Sequence, residues 1–352
     1  MTHLTIDSIS IGDRTIGSGQ SPFLLAEVGL AHDGSLGAAH AYIDAAAECG
    51  VDGVKFQTHI AAEESTSAEE FRVKVFPQDA TRFDYWKRTA FEKSQWQELA
   101  AHAKERQLLF LSSPFCNLAV DWLYECGVPA WKVASGELTN IPMIARMCDT
   151  GLPLLISSGL SSWGELSKTV EYVKARNVPF GIFQCTTAYP CPPEKWGLNV
   201  LAELKLRFDC PVGLSDHSGE VFASLAAVSL GASMIEFHIA FSKSQFGPDA
   251  KASLTPAQAS ELVRGVKQVH LALRNPIDKD RQARDLAHLH GLFTKSIVAA
   301  TRLEAGQILK FEDLAFKKPG TGISASEIGR LIGRKLNRSV SDDHFFSEED
   351  FE

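Results

Sequence analysis

The sequence predicts an α/β fold, a closed (β/α)8 TIM barrel followed by a small C-terminal module. Three observations support this: short apolar runs alternate with segments of helical period, the runs number eight, and the alternation ends near Asn275. The runs are Phe23–Gly29, Gly53–Thr58, Leu108–Pro114, Ala130–Ser135, Pro153–Gly159, Phe180–Thr186, Pro211–Asp216 and Met234–Ile239. They are rich in Val, Ile, Leu and Phe and lack polar alternation, as strands covered on both faces do. Plausible helices follow them, among them Leu36–Cys49, Ile141–Cys148 and Pro256–Leu271. Strand–helix repeats make right-handed crossovers, and eight of them in about 250 residues have the size of a closed barrel.

Between Thr58 and Ser94 the text becomes rich in Glu and aromatic residues (AAEESTSAEEF, FDYWKRTAF) where a few residues would suffice. A long loop at a strand's C-terminal end shapes a binding site or lies on a partner. After the barrel, 276–290 reads as a charged linker or short helix, and 291–352 as a compact module beginning with the strand-like KSIVAA. The barrel domain is then 1–275. A module of about 60 residues buries little by itself and is expected to dock on something.

With 352 residues, 45% hydrophobic and 22% charged, the composition is that of a folded globular protein. A net charge of −8 without a basic tract excludes a generic electrostatic hold on nucleic acid. No run of about eighteen apolar residues marks a membrane span, and MTHLTIDSISIG lacks the form of a leader, so residence in the cytoplasm is expected. The seven cysteines are scattered and form no C-x-x-C pair, which points to buried thiols rather than a zinc cluster or a disulfide framework.

Catalytic groups of such barrels project from the C-terminal ends of the strands. Here those ends carry Glu27; Lys55 and Gln57; Ser112 and Ser113; Lys132, Ser135 and Glu137; Ser157 and Ser158; Gln184, Thr186 and Tyr189; Ser215, Asp216 and His217; and Glu236 and His238. Strand ends meet solvent and are often polar for that reason alone, but Lys, Glu and His gathered at one mouth ask for more. His217 and His238 end consecutive strands and could share a divalent cation of the Mn²⁺ or Mg²⁺ type; the plainer reading is two hydrogen-bonded rim histidines. Glu236, two residues from His238, faces the same way and could orient or balance it. Glu27 and Glu137 are candidate acid–base groups, or simply partners for Lys55 and Lys132. Those lysines sit in otherwise apolar runs, VKFQT and WKVASGE, where an unpaired ammonium is costly, so each needs a fixed anion.

Taken together, AEVGLAHDG (26–34), GVKFQT (53–58), WKVASGEL (131–138), ISSGL (156–160), QCTTAYP (184–190), GLSDHS (213–218), EFHI (236–239), GPD (247–249) and KKPGTGI (317–323) resemble the N-acetylneuraminate (sialic acid) synthase family. That family includes relatives that make legionaminic, pseudaminic and spore-coat sugars. The resemblance implies condensation of phosphoenolpyruvate with an amino-sugar aldehyde to a nonulosonic acid for surface polysaccharide, and a C-terminal antifreeze-like (SAF, β-clip) domain. By the same resemblance His217 and His238 hold the metal, usually Mn²⁺ with Mg²⁺ the alternative. Lys55, Lys132, Ser135, Ser157 and Ser215 hold phosphoenolpyruvate, while Gln57, Tyr189 and Asp249 face the sugar. A domain-swapped homodimer is implied, with Lys318 reaching the partner's sugar site. Glu27 is the first choice for activating water, Glu137 the second. The pattern departs from the family's at Ala31, Thr187, Phe237 and Lys318, which leaves the acceptor sugar open. Other readings of the same residues are a pyruvate aldolase, metal-dependent or with Lys132 or Lys55 as Schiff base, and a non-catalytic sugar-binding relative.

Overall fold

The computed structural model describes residues 8–74 and 76–352, and the first half of the N-terminal stretch read above for a leader lies outside them. The chain forms two compact units, Met1–Arg274 and Asn275–Glu352.

The first unit opens with an antiparallel hairpin, β1 (Ser8–Ile11) and β2 (Arg14–Gly17). Eight parallel strands follow: β3 (Phe23–Gly29), β4 (Gly53–Thr58), β5 (Leu109–Pro114), β6 (Trp131–Val133), β7 (Leu154–Ser157), β8 (Phe180–Cys185), β9 (Val212–Asp216) and β10 (Met234–His238). Each of the eight anticipated runs is a strand. Hydrogen bonds order them β5-β4-β3-β10-β9-β8-β7-β6, so the sheet curls into a nearly closed barrel with β5 and β6 lying side by side at the seam. The expected helices are present: Leu36–Cys49 and Ile141–Cys148 end where the sequence placed them, and Pro256 begins one that runs to Arg274. The Leu36 helix is started by Ser35, whose hydroxyl accepts from the Ala38 amide, and stopped by Gly50 in the left-handed conformation, φ 77°.

The strand period of two sorts the side chains into two cores. Outward residues such as Val54, Phe56, Ile156, Ile182 and Phe237 pack against the helices. Inward residues near the strands' N-terminal ends, Phe23, Leu25, Leu111, Leu155, Phe183 and Met234, meet Ile9, Ile11 and Ile16 of the hairpin. The hairpin is thus an apolar plug for the bottom of the barrel. Sequence reading missed it, although SISIGDRTIG alternates polar and apolar residues around a turn.

In the second unit the charged stretch after the barrel is helical, at Lys279–Asp285 and Ala287–Phe293. Strands β11 (Ser296–Ala299) and β12 (Leu314–Lys317) pair antiparallel over a small core of Ile297, Leu303, Leu309, Leu331, Leu336, Phe346 and Phe351. No helix among the described residues is long and apolar enough to cross a membrane.

Ile11 has no exposed surface. Ile11→Ala should lower the unfolding free energy by about 2–5 kcal/mol, read as a lower urea midpoint at unchanged slope. An unmoved midpoint would show that the plug does not belong to the cooperative core.

Candidate active site at the barrel mouth

One step above the apolar plug layer, the inward positions turn polar: Glu27 on β3, Lys55 on β4, Ser113 on β5, Lys132 on β6, Ser157 on β7, Ser215 on β9 and Glu236 on β10. Glu27, Lys55, Lys132 and Glu236 are each at most 3% exposed, so each charge must find its partner inside. Lys55 Nζ lies 2.6 Å from Glu27 Oε2 and 3.8 Å from Glu236 Oε1. Lys132 Nζ lies 3.0 Å from Glu236 Oε1 and donates to Ser157 Oγ at 2.8 Å. Ser215 Oγ donates to Glu236 Oε1 at 3.0 Å, and Gln57 Nε2 to Glu27 Oε1 at 2.9 Å. The result is one string of alternating charge, from Glu27 through Lys55 and Glu236 to Lys132, within the ring of inward positions.

Burial opposes ionisation of Glu236, but Lys132 and Lys55, with the Ser215 hydroxyl, outweigh it and hold the carboxyl down near 2. Burial likewise acts to lower the Lys55 pKa, and Glu236 and Glu27 overcome it and raise it. An amine kept protonated in this way does not add to a carbonyl, which argues against Lys55 as a Schiff-base nucleophile. Gly29 permits the layer to form: its φ is +55°, and a Cβ there would stand 3.3 Å from Glu27 Oε1 and 3.4 Å from Gln57 Nε2.

Above this ring stand the histidines. The His217 and His238 ring centroids are 5.3 Å apart at 69°. His217 Nδ1 donates to the Thr186 carbonyl at 2.8 Å, which fixes the tautomer and turns the Nε2 lone pair into the mouth. Burial, then the neighbouring His238, pushes the His217 pKa down to about 3, so its imidazole is neutral. Ser215 Oγ lies 3.3 Å and Tyr189 OH 3.4 Å from that Nε2. Tyr189 stacks on His217 at 4.2 Å. Glu236 Oε2 is buried without a hydrogen-bond partner. Among the described residues no three His, Cys, Asp or Glu side chains form a group that could hold a metal ion.

A cavity of about 240 Å³ opens over these groups, lined in part by Gln57, Arg72, Ser135, Tyr189 and Pro248. Ser135 Oγ sits 3.2 Å from Cys185 Sγ on a 3-10 turn after β6. Asp249 reaches the mouth through Arg72, whose Nη2 lies 2.6 Å from Asp249 Oδ1 while its guanidinium covers Tyr189 at 4.3 Å. Sequence reading named the loop that carries Arg72 but not Arg72 itself; a cation embedded in FRVK within an aromatic-rich insertion was the available signal.

Not every anticipated residue gathers here. Ser112 bonds Thr58 on the outward face, and Asp216 accepts from Ser224 on the following helix. Gln184 lines a space between the barrel and its helices with Ser158, Trp163 and Val200. They end strands but have the wrong parity for the mouth. Glu137 stands apart from the ring: its Oε2 accepts from Asn140 at 2.8 Å, and burial, with the nearby Glu64 charge, raises its pKa. Lys318 belongs to the second unit and is exposed, its ammonium 5.2 Å from the Phe293 ring.

Comparison with known proteins gives this arrangement its relatives. The NeuB family profile matches residues 42–278, and that of the SAF domain matches residues 294–352. Human N-acetylneuraminate-9-phosphate synthase is 35% identical over 96% of this chain and 94% of its own length. The N,N'-diacetyllegionaminic acid synthase of Campylobacter jejuni is 32% identical over 92% of this chain and 98% of its own. Among solved structures, the N-acetylneuraminic acid synthetase of Leptospira borgpetersenii superposes with a TM-score of 0.72 at 27% identity, covering 82% of this chain and 98% of that one. With a profile match over more than half its length and relatives aligned nearly end to end, this chain belongs to the NeuB family, the sialic-acid-type synthases, and carries a SAF domain behind its barrel.

Proposed function

We propose that the chain condenses phosphoenolpyruvate with the open-chain aldehyde of an amino sugar, giving a nonulosonic acid and phosphate for a surface polysaccharide. The observation that carries this reading is the buried ring: two ammonium groups and three serine hydroxyls lie together in one layer at the barrel mouth, shielded from bulk solvent. Such a layer suits a small, highly charged substrate whose carboxylate and phosphate accept hydrogen bonds from these donors.

His217, whose neutral ring turns its Nε2 into the mouth, and His238 beside it are the residues that would hold a divalent cation. When bound, that ion, Mn²⁺ by family resemblance with Mg²⁺ as the alternative, supplies Lewis-acid polarisation of the aldehyde oxygen. Lys55, Lys132, Ser135, Ser157 and Ser215 bind phosphoenolpyruvate and orient its C3 toward the aldehyde carbon. The new C–C bond forms there, a water adds at C2, and phosphate leaves by cleavage of the C2–O bond. Glu27, held by Gln57 and Lys55, takes the proton of that water, while the two lysines stabilise the departing phosphate. Glu137, bonded to Asn140 and lining the cavity beside the ring, meets the sugar with Gln57, Tyr189 and Asp249. Work in the cytoplasm and a domain-swapped homodimer, in which Lys318 of one chain approaches the acceptor bound by another, complete the proposal.

The direct test is phosphate release from phosphoenolpyruvate with Mn²⁺ and a panel of six-carbon amino sugars, followed by mass analysis of the nine-carbon product; trapping by borohydride would favour an aldolase instead. His217→Ala or His238→Ala should lower both turnover and bound metal while leaving the circular dichroism spectrum unchanged, and full metal occupancy in both variants would refute the assignment. Lys132→Met should lower kcat/KM for phosphoenolpyruvate by about 10–100-fold, the loss of a charged hydrogen bond. Deleting 291–352 should leave a folded barrel without activity; an active truncation would remove the SAF domain from the site.

A further inference from the structure

A second cavity, of about 320 Å³, lies beside the first and shares with it the walls Gln57, Arg82, Trp86, Phe115 and Gly136. Gln57 is the partition: its Nε2 donates to Glu27 in the buried ring, and its Oε1 lies 3.4 Å from His59 Nε2 on the other side. His59 is clamped between Trp86, at 3.8 Å and 12°, and Phe115, at 4.2 Å and 16°, so its ring is a fixed wall rather than a mobile side chain. Three carboxylates, Glu64, Glu69 and Glu137, line the space. Glu69 is satisfied by Arg82 at 3.0 Å and by the Trp86 indole at 2.9 Å.

The other two are not. Glu64 Oε1 meets His59 Nδ1 at 2.8 Å, but Oε2 has no hydrogen-bond partner although the side chain is only 7% exposed. Glu137 is bonded by the neutral Asn140 amide, and its charge repels that of Glu64. No Lys or Arg among the described residues pairs with either one. A buried carboxylate without a full set of donors keeps an uncompensated desolvation cost, which a positively charged ligand beside it offsets.

We propose that this cavity is a subsite for a cationic nitrogen on the end of the acceptor sugar remote from its aldehyde, and that it rejects a phosphate at that end. The inference rests on the synthase reading, because it takes the aldehyde to sit over the histidines and the carbon chain to run past Gln57. A protonated amine would be drawn by the unpaired charges of Glu64 and Glu137 together. A phosphate dianion would meet both at short range with Arg82 already committed to Glu69. The human relative is named for a 9-phosphate product; the charge of this cavity points to an acceptor of the opposite sign.

Calorimetry on the full-length protein with three unreactive probes, 6-amino-6-deoxymannitol, mannitol and mannitol 6-phosphate, reads the subsite without any turnover. The amino probe should bind at least about tenfold more tightly than either other probe, as expected for a charged hydrogen bond to a buried carboxylate. That gain should fall at least about fivefold in Glu64→Gln, and likewise in Glu137→Gln, which guards against a folding defect in either one. Equal binding of the probes, no binding, preference for the phosphate, or a gain that survives both substitutions would overturn the proposal. Selective amine binding without phosphate release from phosphoenolpyruvate and the matching amino aldose would leave the subsite standing and sink the synthase reading instead.

Discussion

Burying two lysines and two glutamates inside a barrel costs several kcal/mol per ion, and the only relief is mutual pairing with good geometry. Lys55 is held between Glu27 and Glu236, Lys132 between Glu236 and Ser157, and Ser215 and Gln57 occupy remaining acceptor sites. The four charges cancel in pairs, so the layer is stable without ligand yet leaves Glu236 Oε2 without a donor. Removing any one member would strand another. The ring therefore fixes strand register and site geometry at once, and its rigidity is what a substrate of high charge density needs.

The layers above and below protect this ring in different ways. Beneath it, the β1–β2 hairpin excludes water with Ile9, Ile11 and Ile16, which keeps the local dielectric low and the ion pairs strong. Above it, the long connection after β4 brings Arg72 across Tyr189 to Asp249 and packs Phe76, Tyr85 and Trp86 in a separate apolar cluster. That cluster gives the loop its own small core, which explains how an insertion of this length holds a definite shape instead of hanging free. The same packing lays Trp86 on His59 and so builds the wall of the second cavity.

The histidine pair shows how the backbone sets chemistry. Thr186, in the segment following β8, offers its carbonyl to His217 Nδ1, and this single hydrogen bond decides which nitrogen faces the mouth. Tyr189, three residues further on, stacks on the ring and stops it from turning. Ser215 touches both His217 and Glu236, linking the imidazoles to the charged ring below.

The order of strands, the period of two along each, and the gathering of Glu27, Lys55, Lys132, Ser215, Glu236, His217 and His238 at one end were determined by sequence alone, because a strand buried on both faces tolerates charge only where other strands supply its partner. Ser112, Gln184 and Asp216 had the same polar look, but only the fold decided that they turn toward the helices, since one residue of register separates the two faces. The separation of Glu137 from the ring, the tautomer of His217 and the unpartnered Glu64 oxygen likewise depend on contacts between residues far apart in the chain. No local pattern encodes those contacts, because they arise from the distance between side chains after the barrel has curled, and distance across a barrel is a property of tertiary structure.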